Sequence, residues 1–94
     1  MTIPTDLHRR HRETLDRIFN PPKRKAPGIS FQEMLSLLRA LGAHVDEKRE
    51  GSRVKITLPS GSSGVIHRPH KGRALDGGTT AYVREWLREN GIHP

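Results

Sequence analysis

A chain of 94 residues forms one domain around one modest core, which excludes the large enclosed site that a dinucleotide-dependent enzyme needs. Lys and Arg number 17 against 10 Asp and Glu, a formal net charge of +7, so the expected partner is a polyanion: nucleic acid, an anionic membrane surface or an acidic protein. The absence of cysteine excludes disulfides, thiolate zinc sites and a cysteine nucleophile together.

Small secreted domains usually carry disulfide staples. Met1 to Asp6 lacks the apolar core of a signal peptide, and no apolar run has the length of a transmembrane helix. The expectation is a cytoplasmic chain with no membrane partner.

Leu7, Leu15, Ile18 and Phe19 recur near helical spacing and predict a helix from about Asp6 to Phe19, with Thr5 or Asp6 as its N-cap. Pro21 and Pro22 end it, and Asn20 to Gly28 is a stiff basic linker. Ser30-Phe-Gln-Glu33 is a capping-box pattern. It opens a stripe of Phe31, Met34, Leu35, Leu38 and Leu41, widened by Leu37, and Gly42 sits where a C′ glycine belongs.

Three short extended stretches follow. Ala43 to Lys48 is the weakest in pattern. Ser52 to Leu58 alternates, with Val54, Ile56 and Leu58 on one face and Arg53, Lys55 and Thr57 on the other. Pro59 to Ser63 is a hairpin turn, and Gly64 to Arg68 is the third stretch. After a basic loop, His67 to Gly78, the residues Tyr82, Val83, Trp86 and Leu87 pair at helical spacing on a helix from about Thr79 to Asn90. Gly91 caps this helix and Ile92 folds back on its last turn. Tyr82 and Trp86 share that stripe and read as core residues rather than as base-stacking platforms. The strands carry no aromatic residue, which argues against a sheet that stacks bases.

The order predicts an α+β domain, α-β-β-β-α after the first helix. Short connections favour an antiparallel three-stranded sheet, both helices bury their stripes on its apolar face, and the other face stays wet. This is the architecture of the double-stranded-RNA-binding domain. The division expected is residues 1–28, an N-terminal helix and basic Pro-rich linker, and residues 29–94, the domain itself.

Leu38-Arg-Ala-Leu-Gly-Ala43, Gly51-Ser-Arg53, His67-Arg-Pro-His-Lys-Gly72, Leu75-Asp-Gly-Gly-Thr79 and Leu87-Arg-Glu-Asn-Gly-Ile92 occur in that order. This run, over about Phe31 to Pro94, resembles the HicA family of toxin–antitoxin toxins. The resemblance implies a fold like the double-stranded-RNA-binding domain, metal-independent endoribonuclease action on mRNA, and neutralisation by a HicB-like antitoxin. One position departs from the family: its catalytic histidine usually follows Gly-Ser, and here Arg53 stands there. A guanidinium stays protonated and is no general base, though it binds a phosphate well. Either the base has moved to His67 or His70, or the protein binds RNA with little or no cleavage.

RNA cleavage without a metal needs a base for the 2′-hydroxyl, an acid for the leaving oxygen and a cation for the developing charge. His67 and His70 are the candidates for the first two roles, being imidazoles near neutral pH. Arg53, Lys55, Arg68, Lys71 and Arg73 are the candidates for holding phosphates. The bland readings are a strand-end histidine, a surface-loop histidine and solvated cations. His67 faces outward with Arg53 and Lys55 if Ile66 faces the core, and is buried if Val65 does. His67-x-x-His70 has neither cysteine nor a well-spaced acidic pair to complete a metal site, so no cofactor is expected. The cluster His8-Arg-Arg-His-Arg12 reads as the solvated face of the first helix, and Lys23-Arg-Lys25 as a charge run in the linker.

Overall fold

A sheet of three short strands has one apolar face to bury; here two helices cover it and a third packs on those two. The computed structural model describes residues 7–21, 28–47 and 51–94. The elements are α1 (Arg9–Phe19), α2 (Phe31–Ala40), β1 (His44–Asp46), β2 (Arg53–Thr57), β3 (Ser63–His67) and α3 (Gly77–Glu89). The sheet is antiparallel in the order β1-β2-β3. This is the α+β, α-β-β-β-α arrangement with an added N-terminal helix. The N-cap expected at Thr5 or Asp6, the charge run at Lys23 to Lys25 and the end of the first strand at Lys48 lie outside the described residues.

Helix α2 starts where its sequence says. The Ser30 side chain accepts a hydrogen bond from the Glu33 N–H at 3.0 Å, and the Glu33 carboxylate accepts from the Ser30 N–H at 3.1 Å. Its end and that of α3 share one geometry. Gly42 (φ 89°) and Gly91 (φ 75°) take the left-handed conformation that a side chain resists. The following N–H groups then reach back, Ala43 to the Leu38 carbonyl at 3.0 Å and Ile92 to the Leu87 carbonyl at 2.9 Å. Ile92 is buried against Leu87, as the closing turn of a Schellman motif requires.

Helix α3 begins two residues earlier than the sequence suggests. Asp76 is its N-cap and accepts from the Thr79 N–H at 2.6 Å, so the weak helix formers Gly77 and Gly78 fill the first turn. Helix α1 begins at Arg9, capped by the His8 ring, whose Nδ1 accepts from the Arg10 N–H at 3.2 Å. It ends at Asn20, where the following Pro21 disfavours helical backbone.

Val54, Ile56 and Ile66 point into one core with Met34, Leu35, Leu37 and Leu38 of α2 and Val83, Trp86 and Leu87 of α3. Helix α1 lies against α2 and α3 and adds Leu15 and Ile18 to the same core. The Arg84 side chain of α3 donates to the Ile18 carbonyl at 2.7 Å, satisfying an orphan acceptor at the end of α1. Gly64 brings α3 onto β3. A Cβ there would stand 3.0 Å from the Tyr82 hydroxyl and 3.2 Å from the Trp86 ring. Trp86 is core, with its indole N–H donating to the Ser62 hydroxyl at 2.9 Å. Tyr82 is not core. It is 46% exposed, because its position on α3 lies over the free edge of β3 rather than over the sheet face.

Two helix caps carry acid-sensitive stability. Burial raises the Glu33 pKa, but hydrogen bonds from Ser30 and the Arg17 guanidinium outweigh it and hold the carboxyl below its usual 4.5. Hydrogen bonds from Thr79 hold Asp76 below its usual 3.8. A depressed carboxylate pKa stabilises the fold above the unfolded value, and that stabilisation disappears as pH falls through the folded value. The wild type is therefore expected to lose stability between about pH 5 and pH 3. A Glu33→Gln/Asp76→Asn chain, whose caps do not titrate, is expected to lose less in thermal unfolding over that interval. Equal losses would remove the caps from the acid response.

Candidate nucleic-acid interface

Strand alternation decides which side chains reach solvent. Ile66, paired with Val54, is buried, so the outward phase for His67 is the one observed. The open face carries His44 and Asp46 from β1, Arg53, Lys55 and Thr57 from β2, and Ser63, Val65 and His67 from β3. Register sets their neighbours. Arg53 lies directly opposite His67, and Lys55 lies between Asp46 and Val65. His67 is exposed, and its Nδ1 is 3.2 Å from the Ser52 hydroxyl. The residue after Gly51-Ser52 thus stands beside one of the two candidate imidazoles.

The loop after β3 forms a second basic surface. Arg68, His70, Lys71 and Arg73 line a groove of about 590 Å³ against Ser30, Phe31 and Gln32 at the start of α2. The loop is tied down by the Leu75 N–H, which donates to the Ile29 carbonyl at 2.9 Å. Arg68 is oriented from both sides. Its guanidinium lies 5.4 Å from the centre of the Phe31 ring and 3.3 Å from Glu47, whose other oxygen meets Arg39 at 2.8 Å. These pairs are exposed and worth at most about 1 kcal/mol each, so they orient Arg68 more than they stabilise the fold.

Arg53, Lys55, Lys71 and Arg73 are different. Among the described residues none of the four forms an ion pair with a carboxylate. Clustered cations of this kind form the sort of electrostatic surface that a polyanion recognises.

The two histidines face separate hollows. His70 lines the loop groove, whereas His67 lines a smaller hollow of about 310 Å³ with Val65, Asp76, Thr79 and Tyr82. No hydrogen bond joins them among the described residues. Sequence reasoning weighed a stacking role for Tyr82 and preferred the core, whereas the ring is exposed. The one available signal was the small Gly64 at mid-strand, which marks close approach by another element.

On α1, the His8-to-Arg12 cluster is largely solvated. Arg9 pairs with Glu13 at 3.3 Å, and the His8 and His11 rings meet edge to face at 6.0 Å. Burial, then Arg10 and His8, push the His11 pKa below its usual value. No group of three or more His, Asp or Glu positioned to hold a metal ion occurs among the described residues. No described helix is long and apolar enough to cross a membrane.

Fold and site together define a small α+β protein with one covered sheet face and one open, cationic face. A family model described as "HicA toxin of bacterial toxin-antitoxin" matches residues 31–92, and the chain belongs to this family. Helix α1 precedes the matched span. Comparison with curated proteins and with solved structures returned no match.

Proposed function

We propose that this toxin is a metal-independent endoribonuclease that acts on mRNA in the cytoplasm and is neutralised by a HicB-like antitoxin. The observation that carries the reading is the set of cations that form no ion pair among the described residues, Arg53 and Lys55 on the open sheet face and Lys71 and Arg73 on the loop, beside His67 and His70. In the proposed reaction one imidazole takes the proton from a ribose 2′-hydroxyl, and the 2′-oxygen attacks the adjacent phosphorus. The bond to the 5′-oxygen breaks, that oxygen receives a proton from the second imidazole, and the product ends in a 2′,3′-cyclic phosphate. Arg53, directly opposite His67, stabilises the charge that develops on the phosphate oxygens. Arg68, braced by Phe31 and Glu47, Lys71 and Arg73 hold the chain where it leaves the sheet. Residues 29–94 carry this activity in the proposal, with residues 1–28 as an addition to it.

A second reading has its own support. Arg53 occupies the place of the usual histidine, and His67 and His70 face separate hollows. On that reading the protein is a non-catalytic RNA-binding module.

Incubation of the purified protein with total RNA separates the two. Cleavage that survives EDTA supports the enzyme, whereas protection without cleavage supports the module. For the enzyme, His67→Ala and His70→Ala are each expected to slow cleavage by about 10²- to 10⁴-fold with unchanged thermal unfolding. A variant that cleaves at the wild-type rate takes its histidine out of the mechanism. On either reading, Lys71→Ala with Arg73→Ala is expected to flatten the slope of log affinity against log salt by about 0.7 per lost contact with single-stranded RNA. An unchanged slope in a binding titration would place the phosphates elsewhere.

A further inference from the structure

Tyr82 has an arrangement that core packing does not require. Its ring is 46% exposed, and it is the one large hydrophobic side chain so exposed among the described residues. Its hydroxyl nevertheless has a partner, accepting a long hydrogen bond from the Val65 N–H at 3.4 Å. That N–H faces the free edge of β3, because Val65 sits opposite Lys55 in the phase of the ladder that does not bond to β2. Gly64 lets the hydroxyl come this close. The ring is therefore held near the strand at its polar end and bare over much of its surface. It forms one wall of the hollow whose other side is His67, with the Thr79 side chain at the rim.

A hollow of about 310 Å³ is at the small end of ligand sites. A protein interface needs a cluster of exposed apolar anchors around an aromatic one; here the lining adds Val65 and the buried Ile66 to the ring, and is otherwise His67, Asp76, Gly78 and Thr79. A nucleobase needs only one immobilised ring to stack on and polar groups at its edge.

We propose that Tyr82 is a stacking platform for one unpaired nucleobase, which seats the RNA with the adjoining ribose at His67. This rests on the RNA reading above and adds to it a preference for single-stranded over duplex substrate, since a paired base is not free to stack there. Tyr82 is a positioning residue, acting on where the ribose lies relative to the imidazole.

The test compares the full chain with Tyr82→Leu and Tyr82→Phe. The probes are a short single-stranded RNA oligonucleotide and inorganic polyphosphate, a polyanion without bases. Tyr82→Leu is expected to weaken RNA binding by about 5- to 150-fold and to leave polyphosphate binding unchanged, with Tyr82→Phe restoring most of the RNA affinity. In the wild type, the ring protons of Tyr82, the only tyrosine, are expected to shift upfield on adding the RNA and to stay in place with polyphosphate. This second measurement does not depend on how any variant folds. Wild-type RNA affinity in Tyr82→Leu, an equal loss toward polyphosphate, or unmoved ring resonances at saturating RNA each overturns the proposal and leaves RNA binding intact. A wild-type chain that binds polyphosphate and not RNA overturns both this proposal and the function it rests on.

Discussion

One constraint organises the molecule: a three-stranded sheet alternates its side chains, and helices cover only one of its faces. Val54, Ile56 and Ile66 go inward, so Arg53, Lys55 and His67 must go outward. A slip of one residue in either strand would bury the cations and expose the aliphatics. The core therefore specifies the site. The energy of packing Val54 against α2 and α3 is the same energy that presents Arg53 beside His67.

The loop surface depends on weaker devices. Arg68 rests on Phe31 and shares Glu47 with Arg39, while the Leu75 N–H ties the loop end to the segment before α2. None of these is a large term alone. Together they keep Lys71 and Arg73 on one wall of a groove, with no ion pair to either among the described residues. Helix α1 contributes differently. It lies before the matched family span, yet Leu15 and Ile18 enter the common core and Arg84 closes its last turn. Its exposed arginines form a third basic region on the helix side of the molecule.

The elements with strong local signals were legible in the sequence. Ser30 and Glu33 announce the start of α2, Gly42 and Gly91 mark two helix ends, and the alternation of Val54 and Ile56 sets the sheet face. Where local chemistry was mixed, reading stopped short. Gly77 and Gly78 hide the true start of α3, because their low helix propensity obscures a cap made by Asp76. His67 had two possible phases until the pairing of Ile66 with Val54 chose one. Tyr82 shares a stripe with Val83 and Trp86, yet only the position of α3 over the strand edge shows that its ring reaches solvent. The grooves are tertiary objects. That His70 lines a groove with Ser30 and Gln32, and His67 a hollow with Thr79, follows from the way three segments converge, which no spacing along the chain encodes.

The central claim is that the open sheet face and its following loop are where a ribose-phosphate chain binds. Backbone amide shifts of the isotope-labelled full chain, followed during titration with a short single-stranded RNA at moderate salt, test this most directly. The account predicts that the largest changes fall on Arg53, Lys55, His67, His70, Lys71 and Arg73. Changes confined to Arg9, Arg10 and Arg12 of α1, with the sheet and loop unmoved, would contradict it.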